Sequence, residues 1–249
     1  THSQSEKMVR LLSRVDSNDA LSDWQRYGAI PYGNREEIRE LPESLKHAIL
    51  IFFIANGIHD MDKRNLKKHL SMLVNAAVKN SEHDSINGYI YEYIQKIRND
   101  LKNYGIKNNK ESNFIDQLQE KYEKEFGYLD YSWEKIFNNI VSSSKKIKVQ
   151  VINGQLGNEI EFHEESETKE PHRVIIIGGH KLSRGLTIEG LCITYLVRRP
   201  TAADTLLQLG RFFGYRNSLR DYSRIYLPED AFESFQEINS SIEELKFRL

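Results

Sequence analysis

Two short segments of this chain carry the residue types that could handle a phosphate. The first reads Gly178-Gly179-His180-Lys181-Leu182-Ser183-Arg184-Gly185-Leu186-Thr187, directly after the β-branched run Val174 to Ile177. Glycines let a backbone approach a ligand closely, and successive amides at such a turn can hold an anion. The second reads Gln208-Leu209-Gly210-Arg211-Phe212-Phe213-Gly214-Tyr215-Arg216. Arginine suits phosphate because its guanidinium stays charged and presents a planar fork of donors, the property an arginine finger uses in phosphoryl transfer. Any lone arginine is most simply a surface ion pair. The company of Gly-Gly, Ser-Arg-Gly, Gln-x-Gly-Arg and Gly-Tyr-Arg within about 40 residues changes that balance.

The charge distribution agrees. Net charge is −1 over 249 residues, which taken whole names no polyanion partner. From Arg173 to Arg224, however, nine Arg or Lys face three acids, so that segment is +6 and the remainder −7.

The elements that must position these segments can be read from periodicity. Residues 1–40 mix short helical patterns with turn signals and read as a helical lead-in. Pro42 opens a strongly apolar helix to about Ile58, expected to be buried on more than one side. Leu70 to Ala77 is a candidate core strand. The spacing of Ile86, Ile90, Ile94, Ile97 and Leu101 predicts an amphipathic helix from His83 to Tyr104, with further helices at Phe114 to Phe126 and Trp133 to Val141. Strands are expected at Lys148 to Asn153, Gly157 to Phe162, Val174 to Ile177, Leu191 to Val197 and Ser223 to Leu227. Helices are expected at Ala202 to Gly210 and from Glu229 onward. Alternating strands and helices favour a mostly parallel sheet whose ligand sites lie at the strands' carboxyl ends. The expected organisation is a helical lead-in or linker over 1–60 and an α/β lobe over 61–249 with a helical insert at about 83–143.

That order of motifs resembles motifs V and VI of superfamily 2 helicases. More closely, IIIGGHKLSRGLTIEGLCITYLVRRPTAADTLLQLGRFFGYR resembles the signature of the Z1 domain, a family found beside helicase-type ATPase regions in proteins labelled bacterial endonucleases. The likeness extends back through LPESLKHAILIFFIANGIHD and HLSMLVNAA, to roughly residues 41–249. The resemblance implies a RecA-like C-terminal lobe in which Ser183, Arg184, Gly185 and Thr187 form the motif V loop. Gln208, Gly210, Arg211 and Arg216 then form motif VI. It casts Arg211 and Arg216 as catalytic arginines, with Gly178, Gly179, Arg184, Gly185, Gln208 and Gly210 toward the nucleotide and Lys181, Ser183 and Thr187 toward nucleic acid. Asp204 and Thr205 belong to the pattern without an assigned role. The spacing departs from the general helicase motif: Gln208 to Gly210 is one residue short, and the second arginine lies five beyond Arg211 instead of three.

No Gly-x-x-x-x-Gly-Lys-Ser/Thr loop and no Asp-Glu pair closing a strand occurs in the chain. ATP and Mg2+ are therefore expected to be held mainly by a first RecA-like lobe outside it, and the piece alone is expected to be inactive. The implied partners are DNA, that first lobe and bacterial restriction or phage-defence proteins. The alternative is a non-catalytic DNA- or protein-binding module of an endonuclease complex.

Other chemistries fare less well. A metal-dependent nuclease needs carboxylates and a lysine on adjacent strands, and the nearest candidate, Glu167-Thr168-Lys169, lies in an acidic run that reads as a solvated loop. One cysteine and eight histidines lack the spacing of a zinc site, so no metal ligand is expected, and His180 reads as a solvent-facing loop residue. Tyr89, Tyr91, Tyr93, Tyr122, Tyr128 and Tyr131 have the chemistry to stack bases, but aromatics at helical spacing are more often core. Cys192, alone in an apolar stretch, excludes an internal disulfide framework and suits a reducing compartment. With no signal peptide and no apolar run near the roughly 18 residues that span a bilayer, the expectation is a cytoplasmic piece of a longer protein.

Overall fold

The computed structural model describes residues 8–12, 41–75, 80–104, 113–152, 170–178, 188–196 and 217–248. Its centre is a six-stranded, all-parallel sheet. The strands are β1 (Val9–Leu12), β2 (Leu70–Asn75), β3 (Ile147–Ile152), β4 (Arg173–Gly178), β5 (Leu191–Leu196) and β6 (Arg224–Pro228). They lie in the order β1-β6-β5-β2-β4-β3. Every residue of β2 and β4 is buried, as expected when a parallel sheet is covered on both faces and its strands read as continuous apolar runs. The class is α/β, an arrangement consistent with a RecA-like fold.

Alternation along β2 sends Met72 and Val74 to one face and Leu73 to the other. The first face joins a large core with Ile175, Ile177, Ile193 and Tyr195. The second makes a smaller cluster of Leu73, Ile152, Val174, Ile176 and Ile188.

Helix α1 (Glu43–His59) lies in the large core, with thirteen of its seventeen residues buried. It is apolar around its circumference because it is sandwiched between strand β5 and helices α3 (Asn113–Phe126) and α4 (Trp133–Ser144). Gly57 permits the close approach to α4: a Cβ there would meet Ile140 Cγ1 at 2.7 Å. Helix α2 (Asn80–Asn103) buries Ile86, Ile90, Ile94, Ile97 and Leu101, the stripe its spacing predicts. The guanidinium of Arg98 donates to the carbonyl of Ser144 from Nη2 at 2.8 Å and Nε at 3.0 Å, tying α2 to the turn before β3. Helix α5 (Glu229–Arg248) follows β6 directly.

The lead-in differs from its expected form. Val9–Leu12 is not helical but pairs in parallel with β6, Val9 opposite Ile225 and Leu11 opposite Leu227. Four residues carry too little periodicity to tell strand from helix, and tertiary pairing decides. Arg10 on β1 is clamped by Glu125 of α3, which also receives Arg224 of β6. The strand expected at Gly157 to Phe162 and the helix expected at Ala202 to Gly210 lie outside the described residues.

Candidate functional site

Strand order sets the strands that precede the two chemistry-bearing segments on either side of β2. Segment 178–187 begins where β4 ends, and the stretch containing 208–216 begins after β5. These two strands flank β2 on either side. At about 4.8 Å per strand step their carboxyl ends stand about 10 Å apart. The three strands close on neutral residues: Asn75 on β2, Gly178 on β4 and Leu196 on β5. Asn75 is in register with Leu196, and Val74 with Ile177, so Asn75 lies between the two departure points.

Of the residues singled out by sequence, Gly178 is described, buried and in register with Ile152 of β3. Gly179, Lys181, Ser183, Arg184, Gly185, Thr187, Gln208, Gly210, Arg211 and Arg216 lie outside the described residues, as do His180 and Glu167-Thr168-Lys169.

Asn75 itself was missed by sequence reasoning. It is only 4 % exposed, and its buried Oδ1 has no hydrogen-bond partner among the described residues. A polar residue closing the apolar run Leu-Ser-Met-Leu-Val-Asn was the available signal, because buried polar atoms are nearly always paired and an orphan asks for a reason.

At the opposite, amino-terminal edge the segments return to described structure. Ile188 is buried in the second-face cluster. Next comes a turn at Glu189 and Gly190, whose carbonyls accept from Ser71 of β2: its Oγ donates to Glu189 at 2.7 Å and its amide to Gly190 at 2.8 Å. The second segment returns at the 3-10 turn Asn217–Tyr222, which leads into β6. The two segments thus leave from one edge and come back at the other.

The amino-terminal edge carries a buried polar cluster. Arg173, at the start of β4, donates from Nη2 to Asp60 Oδ1 at 2.6 Å, while its Nε and Nη1 find no partner among the described residues. Burial pushes the Asp60 carboxyl up, against the opposing charge of Arg173. His59 Nδ1 lies 2.6 Å from the Tyr222 hydroxyl, and burial, reinforced by Arg173, lowers its pKa to about 4. Burial also raises the neighbouring Cys192 thiol beyond any physiological ionisation. A neutral imidazole, a protonated thiol and a closed ion pair describe a structural joint, with no activated nucleophile.

The tyrosines divide as core and surface. Tyr122 is buried and donates to the Tyr131 carbonyl at 2.6 Å, and Tyr128 donates to the Asp221 carbonyl at 2.5 Å. Tyr89 and Tyr93 pack against the core, whereas Tyr91 is 57 % exposed. They form no single platform. Among the described residues no group of three or more His, Cys, Asp or Glu is placed to hold a metal. No described helix is long and apolar enough to cross a membrane.

The family model described as the Z1 domain matches residues 44–249. No curated protein and no solved structure matches the chain.

Proposed function

We propose, from the premise that this chain belongs to the Z1 domain family, that it works as the second RecA-like lobe of a superfamily 2 helicase-type, DNA-dependent ATPase. The observation that carries the reading is topological. The segment resembling motif V follows β4, and the stretch that ends in the segment resembling motif VI follows β5; these two strands flank β2 in an all-parallel sheet, and α/β folds gather ligand contacts at the carboxyl ends of such strands.

In this reading ATP and Mg2+ supply the phosphoryl chemistry and are held mainly by a first lobe outside this chain. Arg211 and Arg216 cross the interface between lobes and set fixed positive charge against the phosphate oxygens. Gly178, Gly179, Arg184, Gly185, Gln208 and Gly210 shape the nucleotide side of that interface. Lys181, Ser183 and Thr187 couple closure to DNA. A role in bacterial restriction or phage defence, in the cytoplasm, follows the family resemblance.

The test is Arg211→Ala in the full-length protein. Arginine fingers contribute on the order of a thousandfold or more to turnover, so ATP hydrolysis should fall by about that factor while the thermal melt is unchanged. Wild-type turnover in the variant would refute the assignment. Combined with salt-dependent DNA binding, it would favour the non-catalytic binding module.

A further inference from the structure

We infer that the amino-terminal edge of the sheet is a docking surface for the phosphate backbone of duplex DNA, separate from the carboxyl ends of β4 and β5. The choice of DNA rests on the reading of this chain as a DNA-dependent lobe. Strands β2, β4 and β3 are neighbours, and their first residues, Leu70, Arg173 and Ile147, stand in register in one row. The turns that enter them therefore lie side by side, with β2 and β3 two strand steps, about 10 Å, apart. The turn before β2 carries Lys63, Arg64 and Lys67, all exposed, and the half-buried Lys68. The turn before β3 carries Lys145 and Lys146, both exposed. Lys63, Lys67 and Lys145 make no ion pair among the described residues.

Three described carboxylates face these six cations. Asp62 is bound by Arg64 at 2.7 Å, Glu170 lies 3.6 Å from Lys146, and Glu189 stands 3.9 Å from His69. The described edge is thus +3, with Arg173 and Asp60 cancelling beneath it. Its turns are fixed by their own hydrogen bonds. Asp62 Oδ1 accepts from the Arg64 amide at 2.9 Å, and Lys68 donates from its amide to the Asn65 carbonyl at 2.9 Å and from Nζ to Asn65 Oδ1 at 3.1 Å. The His172 amide donates to His69 Nδ1 at 2.9 Å, and the two rings stack at 5.0 Å, joining the approach to β4 with the approach to β2. A backbone already held in place lowers the ordering cost of binding. Duplex DNA carries one negative charge per about 1.7 Å of axis, so roughly six phosphates pass along a patch of about 10 Å, whereas an extended acidic peptide reaches about one charge per 3.3 Å at most. Leu66, 45 % exposed, is the one large apolar side chain exposed on these turns, and a lipid surface takes a broader apolar face. Dense charge with little apolar area suits a nucleic-acid backbone.

The test removes one lysine from each turn, Lys67→Gln with Lys145→Gln, in the full-length protein. Its control removes two exposed lysines elsewhere, Lys124→Gln on α3 with Lys135→Gln on α4. The probes are a fluorescent DNA duplex of mixed sequence, titrated at several salt concentrations, and vesicles of anionic lipid. All four lysines are exposed, so both variants should melt with wild type. Each phosphate contact contributes about 0.9 to the slope of log affinity against log salt. The edge variant should therefore lose about 2 from that slope and at least about tenfold in duplex affinity at 0.1 M salt, while the control keeps both. Unchanged slope and affinity in the edge variant overturn the proposal. So does an equal loss in the control, which would report net charge alone, or a loss on vesicles with duplex binding intact. If the edge variant binds DNA as wild type does while Arg211→Ala still abolishes turnover, the edge assignment fails alone. If wild-type protein binds no duplex, the edge and the DNA-dependent reading fall together.

Discussion

The Tyr222 hydroxyl lies 2.6 Å from Nδ1 of His59, joining the last turn of α1 to the turn that precedes β6. His47, three helical turns earlier on α1, repeats the arrangement with Tyr226 of β6 at 2.9 Å. In each pair burial favours the neutral imidazole, helped at His59 by Arg173 and at His47 by Lys121, and both pKa values fall to about 4 from an ordinary 6.5.

These two histidines make the fold acid-sensitive. Between pH 4 and 6.5 the unfolded chain takes up protons that the folded chain refuses, so their contribution is complete above pH 6.5 and is lost as pH falls toward 4. The shift corresponds to on the order of 3 kcal/mol per histidine. Urea midpoints measured at pH 7.5, 6, 5 and 4.5 should decline, and His59→Gln should flatten the decline. A midpoint that is level across the range would refute the assignment.

The Arg173 and Asp60 pair predicts opposite outcomes for single and double replacement. Asp60→Ala leaves a guanidinium buried with no counter-charge and should cost about 3–5 kcal/mol. Replacing both, as Arg173→Met with Asp60→Leu, removes the desolvated charges together and should restore stability to near wild type or above. Guanidinium denaturation of the three proteins decides it. A double variant as unstable as Asp60→Ala would show that the pair contributes more than its own closure.

Periodicity in the chain foretold the amphipathic stripe of α2 and the buried runs of β2, β4 and β5, because each depends on residues a few positions apart. It did not foretell the joints. Glu125 meets Arg10 and Arg224 across 115 and 99 residues, and nothing local in Lys-Glu-Phe marks that carboxylate as the bridge. Val9–Leu12 was unreadable for the same reason, since its strand state depends on β6. Asn75 was visible in the sequence but mute, as a single polar residue at a strand end carries meaning only once its oxygen is known to lack a partner. Gly178 shows the converse: its place after a β-branched run was legible, while its position one strand from Asn75 required the sheet order.

The Glu125 bridge yields a prediction about β1. The carboxylate receives Arg10 and Arg224 together, and Arg224 also lies over the Phe126 ring, 4.3 Å from its centroid. Burial alone would push the Glu125 pKa up, but the hydrogen bonds and charges of both arginines outweigh it and hold it below the usual carboxylate range. Its contribution is therefore present at neutral pH and is lost as pH falls through the lowered pKa. Glu125→Ala strands two guanidinium groups, one of them on the buried Arg224, and should cost about 3 kcal/mol. Hydrogen exchange should quicken first at Val9 to Leu12, with β2 and β4 still protected. Uniform loss of protection across the sheet would argue against a local staple.

Two glycines offer a matched contrast between required and dispensable. Gly190 has φ +66°, and a Cβ built there would meet the carbonyl oxygen of His69 at 2.0 Å and Leu70 N at 2.8 Å. The clash is with backbone on both counts, so no side chain can rotate away. The same turn sets the register of β5 on β2 through Ser71. Gly190→Ala combines left-handed strain with that collision and should cost more than about 3 kcal/mol. Gly88, on the exposed face of α2, would place an added methyl in open space, with nothing within 4 Å of it, and Gly88→Ala should stabilise the helix by about 0.5–1 kcal/mol. Thermal melts of the two variants should move in opposite directions. A Gly190→Ala protein that melts with wild type would mean that the β5 turn tolerates a register change.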